Sequence, residues 1–438
     1  MKFVKINIVF LDLYNDGMQI DKQRKRWYVL IITLYVAYVF TMHKWGHQGD
    51  MMFWLNWSRY IYEHGFSNIY DNKECNYLPA YLYVLWGHVK LQGNAIDIGD
   101  NLYTIKFFTL IFDFAAAILA VRFVKNIEDK SFYFLLLMFN VAFIYNTVFW
   151  GQVDAIFTFF GFAALIFAIE QRVIWSILFA VIALNFKLQA IVFLPIIGLL
   201  LLPHFFFKNG IKKIITGLML AIVFQIFILM PFILSGKLYQ VGGVITNSVG
   251  FYPYPTVGAF NAWSLFLPNV SIEGMYELND NTLVGFLSYK TIGQLLFLLS
   301  IIIAILPFCI YLWKKYIQHQ IVYFPLKNIF IIAALTALNF YFFNTEMHER
   351  YAHPAIISLA AYAFISKKFY PLLLGSLAYF LNMERICWYL NLHNDTYMNG
   401  LIFKPRLIAG LYLILIFVLY ILLYRKERIK EDEPVLKV

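Results

Sequence analysis

The chain has 438 residues, of which 61% are hydrophobic and only 14% charged, with 45 Phe, 31 Tyr and 10 Trp. Soluble domains are about 25% charged and about half apolar, so the composition excludes an ordinary soluble globule and predicts an all-α polytopic membrane protein. The net charge of +10 does not predict a nucleic-acid partner, because the basic residues stand in short clusters between apolar runs, as topology signals do.

Residues 1–26 end on the basic run from Asp21 to Arg26 and are expected to form a cytoplasmic N-terminal segment. Asp12 and the lack of a nearby small-residue cleavage site argue against a cleavable signal. A span is predicted at Trp27–Met42, slightly short of the ~20 apolar residues that a bilayer requires. The first outer loop, 43–101, is polar and aromatic. In it Met51, Trp54, Leu55, Ser58, Ile61 and Tyr62 share one helical face, while Asn56, Arg59 and Glu63 share the other. With Gly65 at its end, this is the pattern of a helix lying in the membrane interface. The apolar stretch Tyr77–Val89 is too short to span and reads as a second surface helix, with Pro79 in its first turn.

Further spans are predicted at Leu102–Val124, Phe132–Phe149, Ala155–Ile169, Val173–Phe186, Ala190–Phe207, Ile214–Leu234, Thr291–Trp313, Asn328–Phe343, Pro354–Ile365, Phe369–Leu381 and Leu407–Tyr424, about twelve with the first. The basic clusters Arg122/Lys125/Lys130, Arg172, Lys208/Lys212/Lys213, Lys314/Lys315, Lys367/Lys368 and Arg425/Lys426/Arg428/Lys430 then all lie on the side of the N-terminus. A crossing at Tyr77–Val89 would send every one of them outside, against the positive-inside rule. The transmembrane domain is therefore expected over 27–424, with a long outer loop at 235–286. Residues 425–438 are expected to be a short disordered cytoplasmic tail. No strand periodicity stands out. Cys75, Cys309 and Cys387 lack metal or redox spacing, and a Cys75–Cys387 disulfide is the alternative to free thiols.

This parity gathers the polar motifs on the outer face: His47–Asp50, Trp150–Asp154, Asn185–Gln189, the 235–286 loop, Thr345–Tyr351 and the loop from Glu384 to Arg406. His43, His47, His64, His88, His348, His353 and His393 fall there too, and a single water-filled cavity would collect them. Asp50 suits a general base that deprotonates an acceptor hydroxyl, or equally an N-cap of the surface helix. Gln152 and Asp154 suit binding of sugar hydroxyls or of the acceptor, although Asp154 also stands where a cap would. Lys187, held between Phe186 and Leu188, breaks the positive-inside rule. A lipid-linked phosphate would offset the cost of its charge, and the alternative is snorkelling to the interface. His348, Glu349 and Arg350 form the densest polar cluster on any outer loop. Arg350 offers a fork of donors suited to phosphate, or a surface pair with Glu346 or Glu349.

Asp113 stands within the span Leu102–Val124, where an acid marks either function or a hydrogen bond to a neighbouring helix. No cofactor is expected. A divalent metal held by His43, His47, His348 and Asp50 is the alternative, without a motif of known geometry.

Several blocks together carry a family resemblance: Gly49–Asp50, Tyr77–Trp86, Phe149–Phe160 (FWGQVDAIFTFF), Asn185–Pro195 (NFKLQAIVFLP), Phe260–Phe266 (FNAWSLF) and Met347–Pro354 (MHERYAHP). They resemble the GT-C superfamily of glycosyltransferases, nearest to bacterial relatives of the second mannosyltransferase of GPI-anchor synthesis. The resemblance implies a long first outer loop with two juxtamembrane helices, a polyprenyl-phosphate-linked sugar as donor, and inversion at the anomeric carbon. It implies Asp50 as catalytic base, and its further blocks map onto Gln152 and Asp154, Lys187 and Gln189, and His348, Glu349 and Arg350; as cations and donors, Arg350, His348 and Lys187 are expected around the donor phosphate. Gln152, Asp154, Gln189, Asn261, Glu349 and Tyr351 become substrate-binding residues. The sequence departs from the family at Asn76–Pro79, where relatives often show an Asp-Tyr-Pro-Pro type of segment.

The resulting expectation is transfer of a hexose, with mannose as the family's suggestion, to a glycan, glycolipid or protein acceptor. The reaction would take place on the outer face of a bacterial plasma membrane, with both termini cytoplasmic. A lipid-linked glycan flippase or transporter, or an oligosaccharide polymerase or ligase, is the competing class. The gathering of polar residues at one face, rather than in paired repeats at the bilayer midplane, favours surface chemistry.

Overall fold

The computed structural model describes residues 23, 25–248, 250–267, 277–392, 400–425 and 434–436. Expectations about residues 1–22, His393 and most of the 425–438 tail lie outside the described residues. Within them the regular structure is almost wholly helical, and the strands that occur are the two-residue pair Leu283–Val284 and Leu287–Ser288.

Helix α1 covers 25–41, and its Tyr35 and Tyr38 hydroxyls donate to the carbonyls of Phe107 (2.8 Å) and Met138 (2.6 Å). The first loop holds α2 (Gln48–His64), α3 (Pro79–Gln92) and the short α4 (Ala95–Asp100). Gly65 ends α2 with φ 85°, a conformation that glycine reaches without strain, and Pro79 opens α3 in its first turn. The buried stripe of α2 is Trp54, Trp57, Ser58 and Ile61. Tyr62, expected on that face, is exposed, and Trp57 replaces it, because α2 packs on α3 through a cluster of Trp54, Trp57, Tyr77 and Tyr81.

The chain continues through α5 (Ile105–Ala120), α6 (Ile127–Met138), α7 (Val141–Ile144), α8 (Asp154–Ile169), α9 (Val173–Phe186), α10 (Leu194–Leu201) and α11 (Lys208–Leu234). After α12 (Leu238–Thr246) and α13 (Ala262–Phe266) come α14 (Tyr289–Leu312), α15 (Leu326–Phe343), α16 (His353–Ser366), α17 (Tyr370–Cys387) and a last helix, Pro405–Tyr424. Among the described residues six helices are long and apolar enough to cross a membrane, or seven if the bent pair Ile127–Met138 and Val141–Trp150 counts as one.

The span expected at Phe132–Phe149 is that bent pair, turned by 59°. Asn140 causes the break. Its side chain accepts from the Ala142 N–H and so starts a new helix, while its amide donates to Ser376 Oγ at 2.7 Å. The new helix then widens into a π-turn, Tyr145–Trp150, and ends at Gly151 with φ 86°. Such π-turns displace side chains from regular register and occur often at functional sites.

Helix α15 lies at the centre with 78% of its apolar window buried, whereas α11 is buried over only 22%. The outer surface of α11 exposes Leu218, Met219, Ile222, Val223 and Phe227. So much unsheltered apolar surface requires a lipid environment, and the described residues form a membrane-embedded, almost wholly helical protein. Residues 434–436 are not free of structure: Pro325 and Val435 form a β-bridge, and Leu436 N–H donates to Phe324 O at 3.0 Å. Cys75, Cys309 and Cys387 are all free thiols.

Candidate functional site

The turn after α1 brings Asp50 to the first turn of α2. The cap position of that helix is His47, three residues before Asp50, so capping does not explain Asp50. The carboxylate turns instead to the π-turn: Trp150 Nε1 donates to Asp50 Oδ2 at 2.6 Å. His47 Nδ1 lies 3.2 Å from the same oxygen, and its ring stacks on Trp150 with centroids 4.5 Å apart. The backbone joins in, because His47 N–H donates to Trp150 O at 2.8 Å and Trp54 Nε1 donates to Gly151 O at 3.3 Å. A Cβ on Gly151 would lie 2.8 Å from Met51 Sδ, which shows how closely α2 seats on this turn.

Asp154 opens α8 without capping it. Its carboxylate pairs with Lys187 through Oδ1 and accepts from Asn146 Nδ2 at 3.0 Å through Oδ2. Lys187 therefore does not snorkel. It is buried beside Asp154, with the rings of Tyr351, Tyr77 and Phe157 5.2–5.9 Å from its Nζ. Burial pushes its amine below the ordinary lysine value against the pull of Asp154. Gln152 Oε1 accepts from the Tyr77 hydroxyl at 3.4 Å, while its Nε2 is buried and without a partner among the described residues.

The third contribution is the turn before α16. Arg350 Nη1 donates to Glu349 Oε1 at 2.6 Å, and Arg350 Nε lies 3.9 Å from Asp154 Oδ2. The guanidinium stands 5.9 Å from the Trp150 ring and 5.7 Å from that of Tyr351. This Arg–Glu pair is buried rather than on the surface, and Glu346 pairs elsewhere, with Lys290 at 2.6 Å. Gly258 of the long loop, with φ 81°, leaves room for the pair, since a Cβ there would lie 2.6 Å from Glu349 Oε2. His348 bridges to Val257 and Gly258, and its ring packs edge-on against Tyr252 at 5.0 Å.

Electrostatics sort these groups by role. Burial acts to raise the Asp50 carboxyl, but Arg350, His47 and Trp150 outweigh it and hold the group well below the usual carboxylate range. Burial pushes Glu349 up, and burial with Arg350 and Lys187 pushes His348 well below its ordinary value, so that its ring is neutral. Asp50 is also the most open acid, with 15% of its side chain exposed against 1% for Asp154 and 3% for Glu349. The arrangement thus offers one ionised carboxylate, the most exposed of the site's acids, close enough to the Arg350 guanidinium to be held ionised by it.

The structure accordingly gathers Asp50, Gln152, Asp154, Lys187, His348, Glu349, Arg350 and Tyr351. Gln189 is half-buried in the following 3-10 turn and takes no part in these hydrogen bonds. Asn261 caps α13, accepting from Trp263 N–H at 3.1 Å, and its amide faces the Tyr341 and Asn344 carbonyls. Among the described outer-face histidines His47 and His348 join directly and His353 is linked to Asp154 through Tyr379 and Asn146, whereas His88 bonds Ile98 O and Thr104, and His64 stacks on Tyr60. No three His, Cys, Asp or Glu side chains gather as a metal would need among the described residues, and His43 stacks instead on Trp45. Asp113 is fully buried, with no hydrogen-bond partner at either oxygen among the described residues.

The sequence pattern singled out neither Asn146 nor Lys106, and it placed Trp150 and Tyr77 in motifs without a role at the site. The signal for Lys106 was present, as a lysine near the start of an apolar span is costly and calls for partners. No protein-family model matches the chain, and no curated protein matches it.

Proposed function

We propose that the protein is an inverting glycosyltransferase. It moves a hexose from a polyprenyl-phosphate-linked donor to a hydroxyl acceptor at the extracytoplasmic membrane surface. In this reading it has a GT-C type arrangement of about twelve spans, with both termini in the cytoplasm of a bacterial cell. Mannose is the sugar that the sequence resemblance suggests. The observation that supports it best is the meeting of an ionised Asp50 and Arg350 at Trp150, which donates to the acid and has the guanidinium 5.9 Å from its ring.

The chemistry follows from that pairing. Asp50 accepts the proton of the acceptor hydroxyl as its oxygen attacks C1 of the sugar. The C1–O bond breaks and its electron pair leaves with the polyprenyl phosphate from the opposite face, so no covalent intermediate forms, as in inverting hydrolases. Arg350 meets the charge that grows on the phosphate. Its Nε makes no hydrogen bond among the described residues and lies 3.9 Å from Asp154 Oδ2, so a modest shift of the side chain would turn that donor to an oxyanion. Lys187 acts beside it by neutralising Asp154, and His348 as a neutral hydrogen-bonding ring. A donor anchored by its lipid tail explains why such an enzyme sits in the membrane.

The test is incubation of the purified protein with a short-chain polyprenyl-phosphate hexose and a panel of hydroxyl acceptors. Release of polyprenyl phosphate together with a glycosylated product is expected. Movement of intact lipid between leaflets without release would replace the transferase with a flippase.

A further inference from the structure

Lys106 lies one residue into α5, is 1% exposed, and has no carboxylate partner among the described residues. Its ammonium is satisfied by three backbone carbonyls: His43 O at 3.3 Å, Trp45 O, and Val148 O at 3.1 Å. Burying a cation without a counter-charge is expensive and persists only when several oriented dipoles replace its water. An ammonium has three donors, and all three are used. These carbonyls belong to two segments that are remote in sequence. His43 and Trp45 begin the turn that leads to Asp50, and Val148 lies in the π-turn two residues before Trp150. The Lys106 stem also fills the space beside Gly151, where a Cβ would stand 3.2 Å from Cε.

We propose that Lys106 is a positioning residue. Its ammonium clamps the turn at 43–45 onto the π-turn, and this fixes the distance between Asp50 and Trp150. A strand of backbone is a poor partner for another irregular strand unless a donor links their carbonyls. Only the single hydrogen bond from His47 N–H to Trp150 O otherwise joins the two segments' backbones near the carboxylate. The clamp rests on the reading of Asp50 as the base only for its effect on rate, whereas its geometric effect stands independently.

The test labels the protein with 5-fluorotryptophan and follows the 19F resonance of Trp150, assigned with Trp150→Phe. Asp50→Asn gives the position of that resonance when the carboxylate is lost. Lys106→Met should displace the resonance toward that position, and Lys106→Gln, which keeps two donors, should displace it less. Lys106→Gln carries the test if the Met variant is not recovered folded. A resonance at the wild-type position in the recovered variants overturns the clamp.

The second arm is the pH–rate profile of transfer. The charged and titratable groups around Asp50 are His47 and Arg350, then Lys187, His348, Tyr77, Tyr81 and Tyr252. None of them is altered by these variants. Lys106→Met should lower kcat on the order of 10²-fold, as ~1 Å misplacements do, leave the donor KM nearly unchanged, and move the acid limb to higher pH. A displaced resonance with unchanged kcat in an enzyme that Asp50→Asn leaves active removes Asp50 as base and retains the clamp. An unmoved resonance with Asp50→Asn inactive removes the clamp and retains the base.

Discussion

Trp150 donates its indole N–H to the carboxylate of Asp50 at 2.6 Å, across 100 positions of sequence. The bond stabilises the ionised acid in a largely buried place, since hydrogen bonds to charged groups contribute about 1.5–3 kcal/mol. It engages Oδ2, the oxygen that His47 Nδ1 also approaches at 3.2 Å.

Trp150→Phe removes that donor and keeps an aromatic ring. Because the folded Asp50 is held below its ordinary value of 3.8, its ionisation contributes stability that is present above that pH and is lost as pH falls through the lower folded value. Removing the donor raises the folded value. The acid limb of the rate profile should therefore move to higher pH, and the stability lost on acidification should be smaller in total and complete at a higher pH. A pH–rate profile with thermal melts carried below the ordinary carboxylate value reads both, and an unmoved acid limb speaks against the bond.

The Lys187–Asp154 pair gives a stability prediction. Both side chains are buried, so breaking the pair strands a charge. Asp154→Asn and Lys187→Met should each destabilise the protein by about 3–5 kcal/mol. The double variant should lose much less than their sum, because it leaves neither charge behind. Thermal or denaturant unfolding in detergent measures the cycle, and additive losses would return Lys187 to an unpaired role.

Gly258→Ala tests the room made for Glu349. The substitution meets two penalties, a φ of 81° and a Cβ 2.6 Å from Glu349 Oε2. The left-handed conformation alone costs about 1–2 kcal/mol. A lowered Tm together with weaker donor binding is expected, since Glu349 holds Arg350. A melt and a binding isotherm equal to wild type would contradict this account of the loop.

Arg350→Lys preserves charge but not the fork that donates to Glu349 through Nη1 while Nε is turned toward Asp154. Transfer should fall by ~10²–10³ in kcat/KM, the usual loss on removing one preorganised donor. Steady-state kinetics with varied donor decide this, and a variant within threefold of wild type would make Arg350 a mere point charge.

Local pattern made some of this legible and long-range geometry hid the rest. Gly65 as helix end and Pro79 as helix start follow from backbone preferences that operate at the residue itself. Asp50 stood out because an acid after a span is conspicuous, but its competing reading as a cap was settled only by seeing His47 cap α2. The partners Trp150 and Arg350 come from distant segments, and no spacing rule joins them to it. The bend at Asn140 was hidden because the flanking residues remain apolar through it, so that hydropathy reads one span where capping makes two helices. Trp57 and Tyr62 exchange places for a similar reason: the stripe is set by α3, not by a flat lipid surface.

The most direct test of the central claim is transfer by Asp50→Asn, measured as polyprenyl phosphate released from a short-chain polyprenyl-phosphate hexose. Amide replacement keeps the shape and removes the base. The rate should fall by ~10²–10⁴, the contribution of a general base, while donor affinity and melting temperature stay near wild type. Turnover equal to wild type in that variant would contradict the assignment.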